Sequence, residues 1–87
     1  MNTASRSHSE KTCSLSQFTG GLHGTIVDIV ADGELQGRLM GLGLLIGTRF
    51  QLLRRGTVAT RIPFLLAIGE TRIAIDHNIA DMILVQA

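Results

Sequence analysis

The sequence has little of the chemistry on which several classes of protein depend. It contains one cysteine, Cys13, so it cannot form an internal disulfide. It has no tyrosine or tryptophan and three phenylalanines, and its eight basic and seven acidic residues leave a net charge of +1. Nucleic-acid binding needs several cations against the phosphates or aromatic rings on which bases stack. The composition therefore argues against a nucleic-acid-binding protein.

Long hydrophobic runs are also missing. The longest apolar stretches cover residues 42–46 and 62–68, far below the roughly 18 residues that span a bilayer. The start of the sequence lacks the apolar segment of a signal peptide. With a single cysteine as well, we expect a protein of the reducing cytoplasm that is not itself inserted in the membrane.

The chain does have enough apolar side chains for one small core. It is 87 residues long and 45% hydrophobic, which suits a single domain and excludes a multidomain enzyme. Residues 1–14 are rich in serine and threonine and hold few apolar side chains, so we expect a flexible polar tail there. The folded domain is predicted over residues 15–87.

Alternating and β-branched stretches predict five short strands, and a stripe of leucines predicts one helix between the first two. The helix is expected over residues 33–40 with Asp32 as its N-cap. Residues 69–70 are predicted to form a hairpin turn, and Asp76 to cap a single helical turn. The predicted strands cover residues 25–30, 48–54, 64–68, 71–75 and 82–85. This pattern favours a mainly β fold closed into a small barrel, because closure removes exposed strand edges.

Several short motifs follow one another in a distinctive order between Leu15 and Val85. They are Leu15-Ser16, Phe18, Gly21, Gly24, Ile26-Val27, Arg38-Leu39, Leu42-Gly43, Gly47, Arg54-Arg55, Pro63, the run from Gly69 to Ile75, Ala80, and Ile83-Leu84-Val85. In this order and spacing the chain resembles the ferrous iron transport protein A family, the FeoA-like domain. Two departures stand out: Ile46 takes the place of a common proline before Gly47, and the loop before Pro63 lacks the family's Pro-Leu and further glycines.

The resemblance implies a fold, a function and a partner. The family folds as a small SH3-like barrel and acts as a non-enzymatic cytoplasmic accessory of bacterial ferrous iron uptake. Its implied partner is the FeoB membrane permease. The same domain resembles the C-terminal SH3-like module of iron-dependent repressors, so a metal-responsive regulatory domain is the alternative function.

The apolar run at residues 42–46 holds four large side chains in five positions, more than a short segment can bury on one face. We expect Leu39 and Leu42 to face the core, and Leu44 or Leu45 to face solvent and contact a partner. Aspartate at either of the last two is then expected to weaken partner binding without unfolding the domain. The alternative is that these residues only plug the end of the barrel.

Arg54 and Arg55 are the polar candidates for partner binding. Together with Arg49 and Arg61 they suit an acidic partner segment, or they keep a strand edge solvated. The predicted partner-binding residues are Leu42, Leu44, Leu45, Ile46, Arg54 and Arg55. The high apolar content also favours association into a homo-oligomer.

No residues have the spacing of a catalytic, cofactor or metal site. His8, His23, His77 and Cys13 lack the paired spacings of metal ligands. Asp76 beside His77 is better explained as a helix cap than as an acid–base pair, because no nucleophile motif accompanies it. We therefore predict no enzymatic activity and no bound cofactor.

Overall fold

The described part of the chain has a mainly β fold with six strands and two short α-helices. The computed structural model describes residues 12–19 and 22–87. The strands are β1 (Cys13–Ser14), β2 (His23–Ile29), β3 (Arg49–Arg54), β4 (Phe64–Ile68), β5 (Thr71–Ile75) and β6 (Ile83–Gln86). The helices are α1 (Gly33–Gly41) and α2 (His77–Ala80), and a 3₁₀ turn covers Leu15–Gln17. Each predicted strand corresponds to one of β2 to β6, and β1 is additional.

The six strands form one antiparallel sheet in the order β1-β6-β2-β3-β4-β5. Within the described residues no pairing joins the edge strands β1 and β5, so the expected closed barrel of five strands is corrected to an unclosed sheet of six. The pairing register shifts between Ile26 and Asp28 in β2 and between Leu52 and Arg54 in β3. Such bulges bend a strand, and they curve the sheet around its core.

The sheet begins earlier in the chain than the predicted domain boundary at Leu15. Cys13 and Ser14 form β1 and pair with the last strand, β6. Residues 1–11 of the predicted tail lie outside the described residues. A two-residue strand is too short to show any periodicity, which is why the sequence pattern gave no sign of it.

The core is built from inward-facing side chains of β2 to β6, the 3₁₀ turn, the two α-helices and the loops that carry Phe18 and Leu44. Alternate residues of each strand point inward, as at Phe64 and Leu66 in β4. The rings of Phe18 and Phe50 meet edge to face with their centroids 5.6 Å apart. The buried hydrophobic residues are Leu15, Phe18, Ile26, Ile29, Leu39, Leu44, Phe50, Leu52, Phe64, Leu66, Ile73, Ile75, Ala80, Ile83 and Val85.

Two aspartates fix the starts of the two helices. The Asp32 carboxylate accepts a hydrogen bond from the amide of Leu35 at 2.9 Å, and Asp76 accepts from the amide of Ile79 at 2.8 Å. Each bond satisfies an amide that has no partner inside its helix. Both predicted caps are confirmed, and the first sets where α1, and hence the loop after it, lies.

Candidate docking surface

The loop after α1 carries the predicted apolar run, and Gly43 decides which side chains turn inward. Gly43 has a φ of 99°, in the left-handed region that favours glycine. Its amide donates to the carbonyl of Met40 at 2.9 Å, and the amide of Leu44 donates to the carbonyl of Leu39 at 3.0 Å. These two bonds define a Schellman motif, in which the residue after the glycine packs against the last turn of the helix. Leu44 is therefore directed into the core with Leu39.

The expectation that Leu42 faces the core is wrong, whereas Leu39 is buried as expected. Of the pair Leu44 and Leu45, one of which is expected to face solvent, Leu45 does so. Leu44 is 0% exposed, whereas Leu42, the C-cap of α1, is 53% exposed. A buried leucine has no surface to offer a partner, so Leu44 is not part of a docking surface. The signal was present in the sequence, because glycine at 43 between leucines at 39 and 44 is the spacing of a Schellman motif.

A second turn, formed by residues 45–48 and containing Gly47, fixes the conformation of the rest of the loop. The amide of Thr48 donates to the carbonyl of Leu45 at 3.0 Å, and Gly47 between them has a φ of 93°, as the third position of a type II turn requires. The amide of Gly47 donates to the carbonyl of Ile26 at 2.6 Å, and the amide of Ile26 donates to the carbonyl of Thr48 at 2.8 Å. These bonds hold the loop against β2.

Four apolar side chains project from this fixed loop and from the end of α1. They are Met40, Leu42, Leu45 and Ile46, which are 51%, 53%, 43% and 61% exposed; we call them the loop surface. A groove of about 220 Å³ lies beside them, lined by Ile29, Gln36, Met40, Leu44, Leu45 and Ile46. Exposed apolar patches of this kind are typical of sites of protein interaction.

The two predicted arginines lie elsewhere and bind backbone. The Arg54 guanidinium donates to the carbonyl of Pro63 at 3.3 Å. Arg55 donates to the carbonyl of Ser16 at 3.0 Å and to that of Phe18. The loop surface precedes β3, and a strand of six residues is about 17 Å long. The structure therefore does not bring the arginines together with the apolar residues, and Arg55 instead ties the 3₁₀ turn to the sheet.

A larger groove, of about 310 Å³, lies between the β3–β4 loop and the start of α2, and His77 lines it. His77 Nε2 is 3.7 Å from the carboxylate of Asp81, and the ring packs against Phe64 with centroids 5.8 Å apart. Nδ1 of His77 is buried and has no hydrogen-bond partner among the described residues. Asp76 acts here as the cap of α2, as the sequence predicted.

Metal-ligating side chains are scattered over the described part of the chain. Among residues 12–19 and 22–87, no three His, Cys, Asp or Glu side chains are grouped closely enough to hold a metal ion. Cys13 lies in β1 and His23 in β2, whereas His8 falls outside the described residues. In the same ranges no helix is long and apolar enough to cross a membrane.

The comparison with known families decides what this small β fold is. The FeoA domain matches residues 13–87. The chain belongs to the FeoA family. A solved FeoA described as an iron uptake regulatory protein is 25% identical and superposes with a TM-score of 0.74, covering 86% of this chain and 96% of that chain. The resemblance inferred from the order of motifs is thereby confirmed, together with a small SH3-like fold associated with ferrous iron transport.

Two further solved structures place this FeoA domain among its neighbours. Iron(II) transport protein A from Clostridium thermocellum is 26% identical with a TM-score of 0.72, covering 85% of this chain and 44% of that one. The metal-dependent transcriptional regulator MtsR is 24% identical with a TM-score of 0.74, covering 86% of this chain and 36% of that one; this likeness shows the fold alone. Among curated proteins, none matches the sequence.

Replacing Ile46 with proline, the residue common in the family at this position, is expected to stabilise the domain by about 0.4–1 kcal/mol. Ile46 is the second residue of the type II turn, where proline is favoured, and its amide donates no hydrogen bond to the backbone of the described residues. Urea denaturation followed by circular dichroism measures the change. In the matched variant Gly47→Ala, alanine has to adopt a φ of 93°, which strains a residue with a β-carbon, so this variant is expected to lose stability. A loss of stability in Ile46→Pro would contradict the assignment of a type II turn.

Proposed function

We propose that this FeoA-family chain is a non-enzymatic accessory of ferrous iron uptake that acts in the cytoplasm by docking onto the FeoB permease. The loop surface is the observation that supports this proposal most directly. Its four side chains are about half exposed although leaving apolar area in water is unfavourable. A partner that covers them recovers that free energy, so the loop surface is the proposed contact with FeoB.

The way in which the loop is held also suits docking. Two glycine turns and two backbone hydrogen bonds with Ile26 fix its conformation. A surface that is already ordered loses little conformational entropy on binding. The loop surface therefore presents apolar side chains on an ordered backbone, and the complementary site on the permease is an apolar cleft.

The chemistry around the loop surface favours contact over catalysis. Of the described residues that line its groove, Gln36 alone is polar and none is charged. Nucleophilic or acid–base catalysis needs positioned titratable or nucleophilic groups. This groove offers apolar contact and the hydrogen bonds of one amide side chain, which are the interactions of a binding module.

Replacing Ile46 with aspartate is expected to weaken FeoB binding by at least about tenfold, because it puts a charge at the centre of an apolar contact. The measurement is retention of the purified chain by the same organism's FeoB, in its nucleotide-free and GTP-loaded forms. The matched control is Val58→Asp, since Val58 is 65% exposed but lies in the β3–β4 loop. Both variants are first checked for a native circular dichroism spectrum.

Two results would contradict the proposal at different levels. If Ile46→Asp and Val58→Asp bind FeoB as well as the wild type, the loop surface is not the contact. If the wild type is not retained in either nucleotide state, FeoB is not the partner. Loss of binding in Ile46→Asp alone supports both parts.

A metal-responsive regulatory role is the second candidate, and the fold shared with MtsR is the observation that favours it. In that case the isolated chain binds Fe²⁺ or Mn²⁺ with a stoichiometry of one. Anaerobic titration calorimetry of the full chain tests this directly. Heats no larger than those of dilution would remove the regulatory alternative.

A further inference from the structure

The outer edge of β5 carries backbone groups that no strand satisfies. β4 and β5 are joined by the two-residue turn at residues 69–70, where Gly69 has a φ of 61° and so suits a type II′ hairpin turn. In such a hairpin Ile68 and Thr71 bond each other, and bonded pairs then alternate along the two strands. Arg72 and Ala74 therefore direct their N–H and C=O groups away from β4. No other backbone group of the described residues bonds to them.

This edge is accessible and has an apolar flank. Arg72 and Ala74 are both exposed. Ala74 lines a groove of about 160 Å³ between β5 and α1, to which Leu42 and Ile79 contribute apolar side chains. An exposed edge of this kind is a template for another strand. A strand added here would satisfy the backbone groups and cover part of the groove.

We propose that β5 pairs with β5 of a second copy of this chain, antiparallel and with Ala74 opposite Ala74 of that copy. The two sheets would then continue through a two-fold axis at Ala74. In such an isologous pairing the same edge of both copies forms the interface, as in most homodimers. The small methyl side chain of Ala74 lets the two strands meet at the axis without crowding.

Opposite charges favour this register. With the axis at Ala74, Arg72 lies opposite Asp76 of the second copy, and opposite charges across an antiparallel pair are stabilising. Neither residue forms a salt bridge with a described residue. The cap of α2 uses one oxygen of the Asp76 carboxylate, which leaves the other to accept from an arginine.

Two registers shifted toward the hairpin turn oppose like charges. An axis at Ile73 would set Glu70 against Asp76 of the second copy. An axis at Arg72 would set the two arginines against each other. The N–H and C=O groups of Arg72 and Ala74 face the second copy in all three registers, but the backbone groups and the charged side chains opposite them differ. Of the three, only the axis at Ala74 sets opposite charges against each other.

Site-specific cross-linking tests the register. In a Cys13→Ser background, Ala74→Cys is expected to form a covalent dimer under mild oxidation, because bonded antiparallel partners have Cα atoms about 5.5 Å apart, within disulfide range. The control Arg72→Cys is equally exposed on the same strand. In the proposed register, position 72 of one copy and position 72 of the other are four residues apart along the paired strands, roughly 13 Å. The Arg72→Cys variant is therefore expected to stay monomeric on oxidation.

Arg72→Glu tests the charge pairing without a cross-link. It places glutamate opposite Asp76 at both ends of the pair, and we expect the dissociation constant of the dimer, measured by analytical ultracentrifugation, to rise about tenfold. Arg49→Glu is the matched control, since Arg49 is an exposed arginine on β3, away from the edge, and it is expected to leave the constant unchanged.

Three results would overturn the proposal. Cross-linking of Arg72→Cys as efficient as that of Ala74→Cys excludes the register. A wild-type chain that stays monomeric at high micromolar concentration, with no cross-link at Ala74→Cys, excludes self-pairing. Protection of the Arg72 and Ala74 amides from hydrogen exchange only when FeoB is added assigns the edge to a strand of that partner instead. None of these depends on the Ile46→Asp result, so failure of the docking proposal is separately visible.

Discussion

Aspartate in place of Leu44 is expected to unfold the domain, whereas aspartate in place of the adjacent Leu45 leaves it folded. Leu44 is 0% exposed and belongs to the core cluster. Removing a buried leucine costs about 2–5 kcal/mol, and burying a carboxylate without a partner adds to that cost. A domain of this size is stable by only about 5–10 kcal/mol. Together the two costs exceed about 5 kcal/mol, so a domain near the lower end of that range unfolds.

Urea denaturation measures the stability of the Leu44→Asp and Leu45→Asp variants and so distinguishes the buried leucine from the exposed one. Leu45 is 43% exposed, so its replacement by aspartate is expected to cost less than about 1 kcal/mol. By the proposed function, that folded variant also loses FeoB binding. Equal stability of the two variants would contradict the Schellman geometry that turns Leu44 inward.

The loop after α1 shows that a hydrophobic pattern alone does not decide which apolar residues are buried. Residues 42–46 are almost uniformly apolar, and such a run has no period that tells inside from outside. The decision lies in the backbone, since the left-handed φ of Gly43 swings Leu44 onto the end of α1 and leaves Leu42 in solvent. Reading Gly43 as part of a capping motif with Leu39, and not as a generic turn residue, would have predicted the orientation.

The strands and caps were predictable because their causes are local. The alternation in β4 and β5 and the caps at Asp32 and Asp76 depend on residues within four positions of one another. The edge strand β1 depends on pairing with a strand about seventy residues later. Whether the sheet closes depends equally on distant edges, so neither followed from the pattern.

The arginines illustrate the same limit for the candidate site. Arg55 binds the carbonyls of Ser16 and Phe18, which lie 39 and 37 residues away in the sequence. Two adjacent arginines at a strand end are indistinguishable from a recognition patch until those carbonyls are placed beside them. Because the arginines bind backbone carbonyls, the proposed contact with FeoB is built on the apolar residues alone.

Replacing Gly56 with alanine is expected to destabilise the domain by about 3 kcal/mol. Gly56 is buried two residues after the end of β3, and the chain that returns from the β3–β4 loop to β4 lies against it. A β-carbon there would lie 2.7 Å from the carbonyl oxygen of Ile62, 2.8 Å from the amide nitrogen of Phe64 and 2.6 Å from the Phe64 ring. Two of these contacts are with backbone, so relief requires β4 to move and Phe64 to leave its place in the core.

Thermal unfolding followed by circular dichroism measures this loss, which corresponds to a fall in Tm of about 15 °C for a domain of this size. Gly37→Ala is the matched control, since Gly37 lies inside α1 with open space around the added methyl group. Alanine is favoured over glycine within a helix by about 0.5–1 kcal/mol, so this control is expected to raise Tm. The same substitution thus has opposite effects at the two glycines, because one lies against backbone that cannot yield and the other faces solvent on a helix. If both variants raised Tm, the close approach of β4 to Gly56 would be contradicted.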